Sequence, residues 1–159
     1  MKIYFLILLA CLGMISCKPG KAFDYSQTIV KIETDLAADL GVADKKVSYH
    51  LENNNNDSAA VYARQMEDMA RQSLRKVEDL EMPDVAEAEN FRREAIRYFS
   101  YITSIYESLN KLTSATNDTE VEAERQRLAD IVSRKEQATN TLQAAQRKFA
   151  EANNFRIEK

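Results

Sequence analysis

Tryptophan is missing from the 159 residues, glycine occurs three times, proline and cysteine twice each, and histidine once. Each shortage removes a class of answer. Past residue 20 only Gly41 and Pro83 remain to break a helix, and no β-branched run is bracketed by turn formers, so an all-α fold is expected. The single histidine, His50, cannot build a transition-metal or haem site, which needs several strong ligands on facing helices. The Glu-x-x-His pairs of carboxylate-bridged metal bundles are missing as well. No metal and no cofactor are therefore expected. Nor does the chain carry a Ser/His/Asp set, a phosphate loop or a thiol nucleophile placed for catalysis, and the expectation is that it is not an enzyme. The formal net charge of -3 offers nucleic acid no electrostatic footprint.

What is present begins at the N-terminus. Met1-Lys2 precedes an apolar run from Ile3 to Ile15, roughly 13 residues against the roughly 20 that span a bilayer. A short basic start, an apolar centre and a small residue before a cut site make an export signal. Met14-Ile15-Ser16-Cys17 resembles a bacterial lipobox, with Met14 where leucine is usual. That resemblance implies removal of residues 1–16 and attachment of lipid to Cys17. Cys11 leaves with the signal, so the mature body has no thiol for a disulfide. The expected organisation is a signal peptide at 1–16, a lipid anchor and linker at 17–21, and a helical body at 22–159. Pro19-Gly20 separates anchor from body.

Four helices account for the body. The first runs from about Ala22 to Glu52, with an apolar stripe at Tyr25, Ile29, Ile32, Leu36, Leu40, Ala43, Val47 and Leu51. Asn53 to Asp57 is a turn, with Asn56 or Asp57 as cap for a second helix from Ser58 to Leu80. Its stripe is Tyr62, Met66, Met69, Ser73, Val77 and Leu80. Pro83 ends it, and Asp84 with Glu87 reads as a variant capping box for a third helix, Val85 to Ser114. There Phe91, Tyr98, Ile105 and Leu112 repeat every seven residues, beside Ala88, Ala95, Ile102 and Leu109. After a turn at Thr116-Asn117-Asp118, capped by Asn117 with Glu120, the fourth helix runs unbroken to about Ala152. Short connections make sequential helices antiparallel neighbours, so the expected body is a four-helix up-down-up-down bundle with long coiled-coil-like helices. A dimer of longer coiled-coil hairpins is the alternative. Counting outward from the turns sets Val47 opposite Tyr62, Gly41 opposite Met69, Ile105 opposite Leu128 and Lys135 near Tyr98. Gly41 is then expected to make room for Met69. Tyr25 and Ile29 are expected to be covered by Phe149 and Phe155, which brings both chain ends to one pole.

Two charges fall on apolar stripes, Glu124 and Lys135. Snorkelling to the edge is the simplest outcome, and pairing across the bundle is another. A polar pocket near Tyr98, Tyr101 and Lys135 is the sharper alternative, a site for a small ligand or partner. His50 is expected to be solvated.

Ala22-Phe23-Asp24-Tyr25 with Ile29-Val30, and Leu142 to Ala150 with Asn153-Asn154-Phe155, resemble the two ends of a family of small helical surface lipoproteins of Bacteroidota and spirochaetes. The resemblance implies a lipid-anchored helical bundle and no known activity. In that group, display on the cell exterior often goes with acidic residues just after the cysteine, and Lys18-Pro19-Gly20-Lys21 has none. The expectation is therefore an outer-membrane lipoprotein facing the periplasm, with surface display as the alternative. It would be held to the membrane by its N-terminal lipid and would act on a protein partner.

Overall fold

The computed structural model describes residues 20–157. The expected signal peptide and Cys17 lie outside the described residues. Five helices follow one another: α1 (Lys21–Glu52), α2 (Asn56–Glu78), α3 (Ala88–Ser114), α4 (Asp118–Val132) and α5 (Lys135–Ala152). They form an all-α bundle, in which α4 and α5 are two halves of the expected fourth helix. Contacts placed symmetrically about the turns make neighbours antiparallel. Lys46 lies over the Tyr62 ring at 4.9 Å, Ser108 bonds Glu124 at 2.9 Å, and Gln146 Nε2 donates to Ser26 Oγ at 3.1 Å. The 32 residues of α1 make a rod of about 48 Å.

The seam of α2 is finer than its large residues suggest. Ala59, Ala63, Met66, Ala70, Ser73 and Val77 are all buried, at steps of 4, 3, 4, 3 and 4. That is a coiled-coil period, and its small side chains let α1 and α3 pack closely on either side of α2. Tyr62 and Met69, two of the expected stripe residues, flank this seam and are only partly buried.

Packing is dense at one pole and thin at the other. At the pole of the chain ends, Phe91 and Phe149 stack with centroids 5.1 Å apart, and Tyr25 meets each edge-on at 6.1 Å. Phe155 folds back onto Phe149 and Phe23, both at 5.7 Å. The expected cover over Tyr25 is in place. Farther along α3, Ile102, Ile105, Leu109 and Leu112 are only partly buried, and α4 contributes Ile131 as its one fully buried side chain. α1 packs along α2 and touches α5 lightly, whereas α3 packs against α2, α4 and α5.

Several sequence expectations are corrected. The fourth helix breaks at Ser133-Arg134. There the Arg134 N–H bonds the Ile131 carbonyl three residues back, and the Ser133 hydroxyl bonds the Asp130 carbonyl at 2.8 Å. Ile131-Val132 has low helix propensity, and the serine competes for backbone acceptors, so the turn tightens. The Asp84/Glu87 capping box does not form. Glu87 is itself the N-cap of α3, left-handed at φ 62°, and its carboxylate accepts from Asn90 Nδ2 at 2.9 Å. Pro83 forces a turn in which the Val85 N–H bonds the Pro83 carbonyl, so the helix starts at Ala88. The cap of α2 is Asn55, whose side chain accepts from the Ser58 N–H at 3.2 Å. By contrast Asn117 caps α4 as expected, and Glu120 reaches back to the Thr116 N–H.

Leu51 is exposed, because the α1 stripe ends at Val47. Gly41 faces solvent and does not make room for Met69, since a Cβ built on it meets nothing within 4 Å. Its neighbours Leu40 and Ala43 hold the buried phase.

Gly41→Ala is expected to raise stability by about 1 kcal/mol, because the helix gains propensity and nothing clashes. Phe149→Ala is expected to cost about 3–5 kcal/mol through the cavity it leaves. Urea unfolding followed by circular dichroism measures both.

A cleft where the last helix breaks

The break at Ser133-Arg134 opens a cleft of about 480 Å³ against the outer face of α3. α3 lines it with Glu94, Arg97, Tyr98, Ser100, Tyr101 and Ser104, and Ile131 closes one end from α4. Arg134 stands at the break, and Gln137, Ala138 and Thr141 line the wall from α5. The cleft lies against the tightened turn at Ser133-Arg134, with α4 supplying Ile131 and α5 the residues beyond it.

Tyr98 spans between the cleft and α1. It lines the cleft, and its hydroxyl donates to Glu33 Oε1 at 2.8 Å. Burial, and then the hydrogen bond and charge of Glu33, push its pKa well above the ordinary tyrosine value. Tyr101 is different. Its hydroxyl oxygen is buried and has no hydrogen-bond partner. Burial raises its pKa, and the Arg134 guanidinium partly offsets the rise. A buried phenol without a partner leaves a donor unsatisfied, which costs about 1–3 kcal/mol.

Glu94 lies at the floor, its side chain only 9% exposed. It binds Arg97 Nη1 at 2.9 and 3.2 Å and Arg93 Nε at 3.2 Å. Arg97 reaches Glu94 through Nη1 alone and keeps spare N–H donors, and with Arg134, which also lines the cleft, these suit an acceptor-rich group such as a carboxylate.

Of the residues singled out in the sequence, Tyr98 and Tyr101 meet in this cleft. Lys135 does not line it; its side chain is exposed, one residue beyond the break, and Arg134 holds the place beside the tyrosines. Glu124 pairs across the bundle rather than snorkelling. Its Oε2 accepts from the fully buried Ser108 hydroxyl at 2.9 Å, and Arg127 lies 3.6 Å away. His50 stacks on Tyr62 with centroids 5.4 Å apart, well away from the cleft in sequence and on the other hairpin. Glu94 and Arg134 were not foreseen. The signal for Glu94 was available: it precedes Ala95 and lies three residues after Phe91, on the shoulder of a buried stripe.

Among the described residues no group of three or more His, Cys, Asp or Glu is placed to hold a metal ion. No described helix is long and apolar enough to cross a membrane. No family model, curated protein or solved structure matches the chain, so what the cleft does rests on its own geometry.

The raised pKa of Tyr98 sets a pH dependence. The folded state keeps the phenol proton more tightly than the unfolded state, whose pKa is about 10. The stabilisation is complete below that value and is lost as pH climbs from about 10 through the raised folded value. Tyr98→Phe is therefore expected to flatten the alkaline loss of stability. Urea titrations from neutral pH to about pH 11, where an ordinary tyrosine is already ionised, measure the slope.

Proposed function

We propose that the chain is a lipid-anchored lipoprotein of the bacterial cell envelope whose helical body acts by protein contact. The observation that carries the reading is the apolar segment Ile3 to Ile15 ending at Ser16-Cys17, directly ahead of a body with no other cysteine. Signal removal and lipidation at Cys17 account for that arrangement together. The absence of acidic residues in Lys18-Pro19-Gly20-Lys21 favours an outer-membrane anchor facing the periplasm over surface display. The resemblance of both ends of the body to small helical surface lipoproteins supports the lipid anchor. A role in contact rather than catalysis fits a body whose polar side chains are engaged with one another on helix faces, as in Lys31 with Asp35 and Arg71 with Glu67.

A second reading, a bundle that binds a small ligand, draws on one observation. Arg97 and Arg134, which line the cleft together, offer donors to an anionic or carbonyl-bearing molecule. Under this reading Arg134→Ala weakens ligand binding without changing the membrane fraction.

Cys17→Ser, expressed in a bacterial host and fractionated, tests the anchored reading. The wild-type chain is expected in the membrane pellet and the variant in the soluble fraction. Equal membrane association of the two would sink it.

A further inference from the structure

The pole that carries both chain ends has an unusual surface. Phe23, on the first turn of α1, packs edge-to-face on Phe155 at 5.7 Å, and both rings are only partly covered. Ile157, the last described residue, is also partly exposed. Lys21 and Arg156 flank these three and are exposed. Aromatic and aliphatic groups beside basic ones match the boundary between lipid headgroups and acyl chains.

The reach of the chain argues for the occupant. Three residues, Lys18 to Gly20, separate Cys17 from Lys21 at the start of α1, which makes four Cα-to-Cα steps. At full extension they span at most about 14 Å. The headgroup layer of one leaflet is itself about 5–7 Å deep. With lipid on Cys17, this pole cannot leave the bilayer surface by more than a water layer or two. A partly apolar surface held that close to lipid gains free energy by entering it.

Resting on the anchored reading, we infer that the base formed by Phe23, Phe155 and Ile157 is a lipid-seating surface. The body is then held by contact as well as by its tether. The acidic connection between α2 and α3 shares this pole, since Asn153 Nδ2 bonds the Ala86 carbonyl at 2.9 Å. Its Glu81, Asp84 and Glu87 are exposed and stay in water. The seat is therefore tilted toward the Phe155 edge, and the rod leans rather than standing upright.

Because the chain has no tryptophan, one introduced indole reports alone. The full chain, lipidated in its host, carries Ile157→Trp, with Phe23→Trp as an independent second reporter and Tyr49→Trp at the far pole as control. Each is reconstituted into phosphatidylcholine vesicles with and without bromine on the acyl chains. An indole seated about 5–10 Å into the interface is expected to lose about half its emission to bromine and to shift to the blue. The Tyr49→Trp control is expected to show neither change. Ile157→Trp and Phe23→Trp no more quenched than the control, in chains that float with the vesicles, overturn the seat and leave the anchored reading standing. A blue shift without bromine quenching marks a protein neighbour and also overturns it. A wild-type chain that does not float overturns both readings.

Discussion

The stack of Phe91 on Phe149 is the contact on which the rest of the bundle depends. Tyr25 and Phe155 close around it, so α1, α3 and the C-terminal segment meet in one aromatic cluster. It is also where the first and last helices are joined, since α1 and α5 touch little elsewhere. Without it, α1 and α2 form one hairpin and α3 with the last two helices another, united by the α2 seam and by polar links such as Tyr98 to Glu33. Aromatic rings suit this junction. Each buries a large area, and edge-on contacts of the kind Tyr25 makes add directional preference to apolar burial.

From that cluster outward the packing relaxes. α2 keeps its alanine seam along its whole length, which holds α1 and α3 together even where the cluster is far away. The last helix has no such seam over its first half. Glu124, with a partly buried side chain, sits where an apolar residue would complete the stripe, and the Ser108 hydroxyl meets it instead of a methyl group. That hydrogen bond satisfies a fully buried donor but adds little apolar area. α4 is therefore held by Ile131, a few half-covered side chains and one polar link. The break at Ser133-Arg134 separates this loosely held half from α5, which is locked by Leu142, Ala145 and Phe149.

How much of this was legible in the sequence follows from the same physics. Stripes of large apolar residues at helical spacing, and asparagines at turns, marked three of the helices to within a few residues. They also marked the cover of Tyr25 by Phe149, on which Phe155 packs in turn. The alanine seam of α2 was hidden because alanine tolerates both surface and core, and Tyr62 and Met69 drew attention to a neighbouring phase. Gly41 looked like a packing device because hairpin counting sets it across from Met69. Counting ignores the 100° that one residue turns around a helix, and that turn carries Gly41 into solvent. The cleft was half legible. Tyr98 and Tyr101 were visible as a surplus of aromatics on α3, but the cation beside them depends on the break. A one-turn tightening at Ser133 moves the choice from Lys135 to Arg134, and no stripe reads out such a shift.

The aromatic pole and the cleft thus have different physical characters, and the proposed functions divide between them. The aromatic pole is densely packed and holds both ends of the described chain, so it suits fixing the body to a surface. The cleft lies midway, at the junction between a well-packed helix and a weakly packed one. Polar groups there depend on partners: Glu94 is held by Arg97 and Arg93, whereas the buried Tyr101 hydroxyl has none and costs stability. A straight, unbroken fourth helix would bury that face of α3 more evenly, and its polar residues would then cost stability with no opening to solvent or ligand. The low helix propensity of Ile131-Val132-Ser133 is in this sense what allows a polar site to exist on an otherwise apolar seam. The Phe91–Phe149 stack, with Leu142 and Ala145, holds α5 independently of α4, so the break leaves α5 in place.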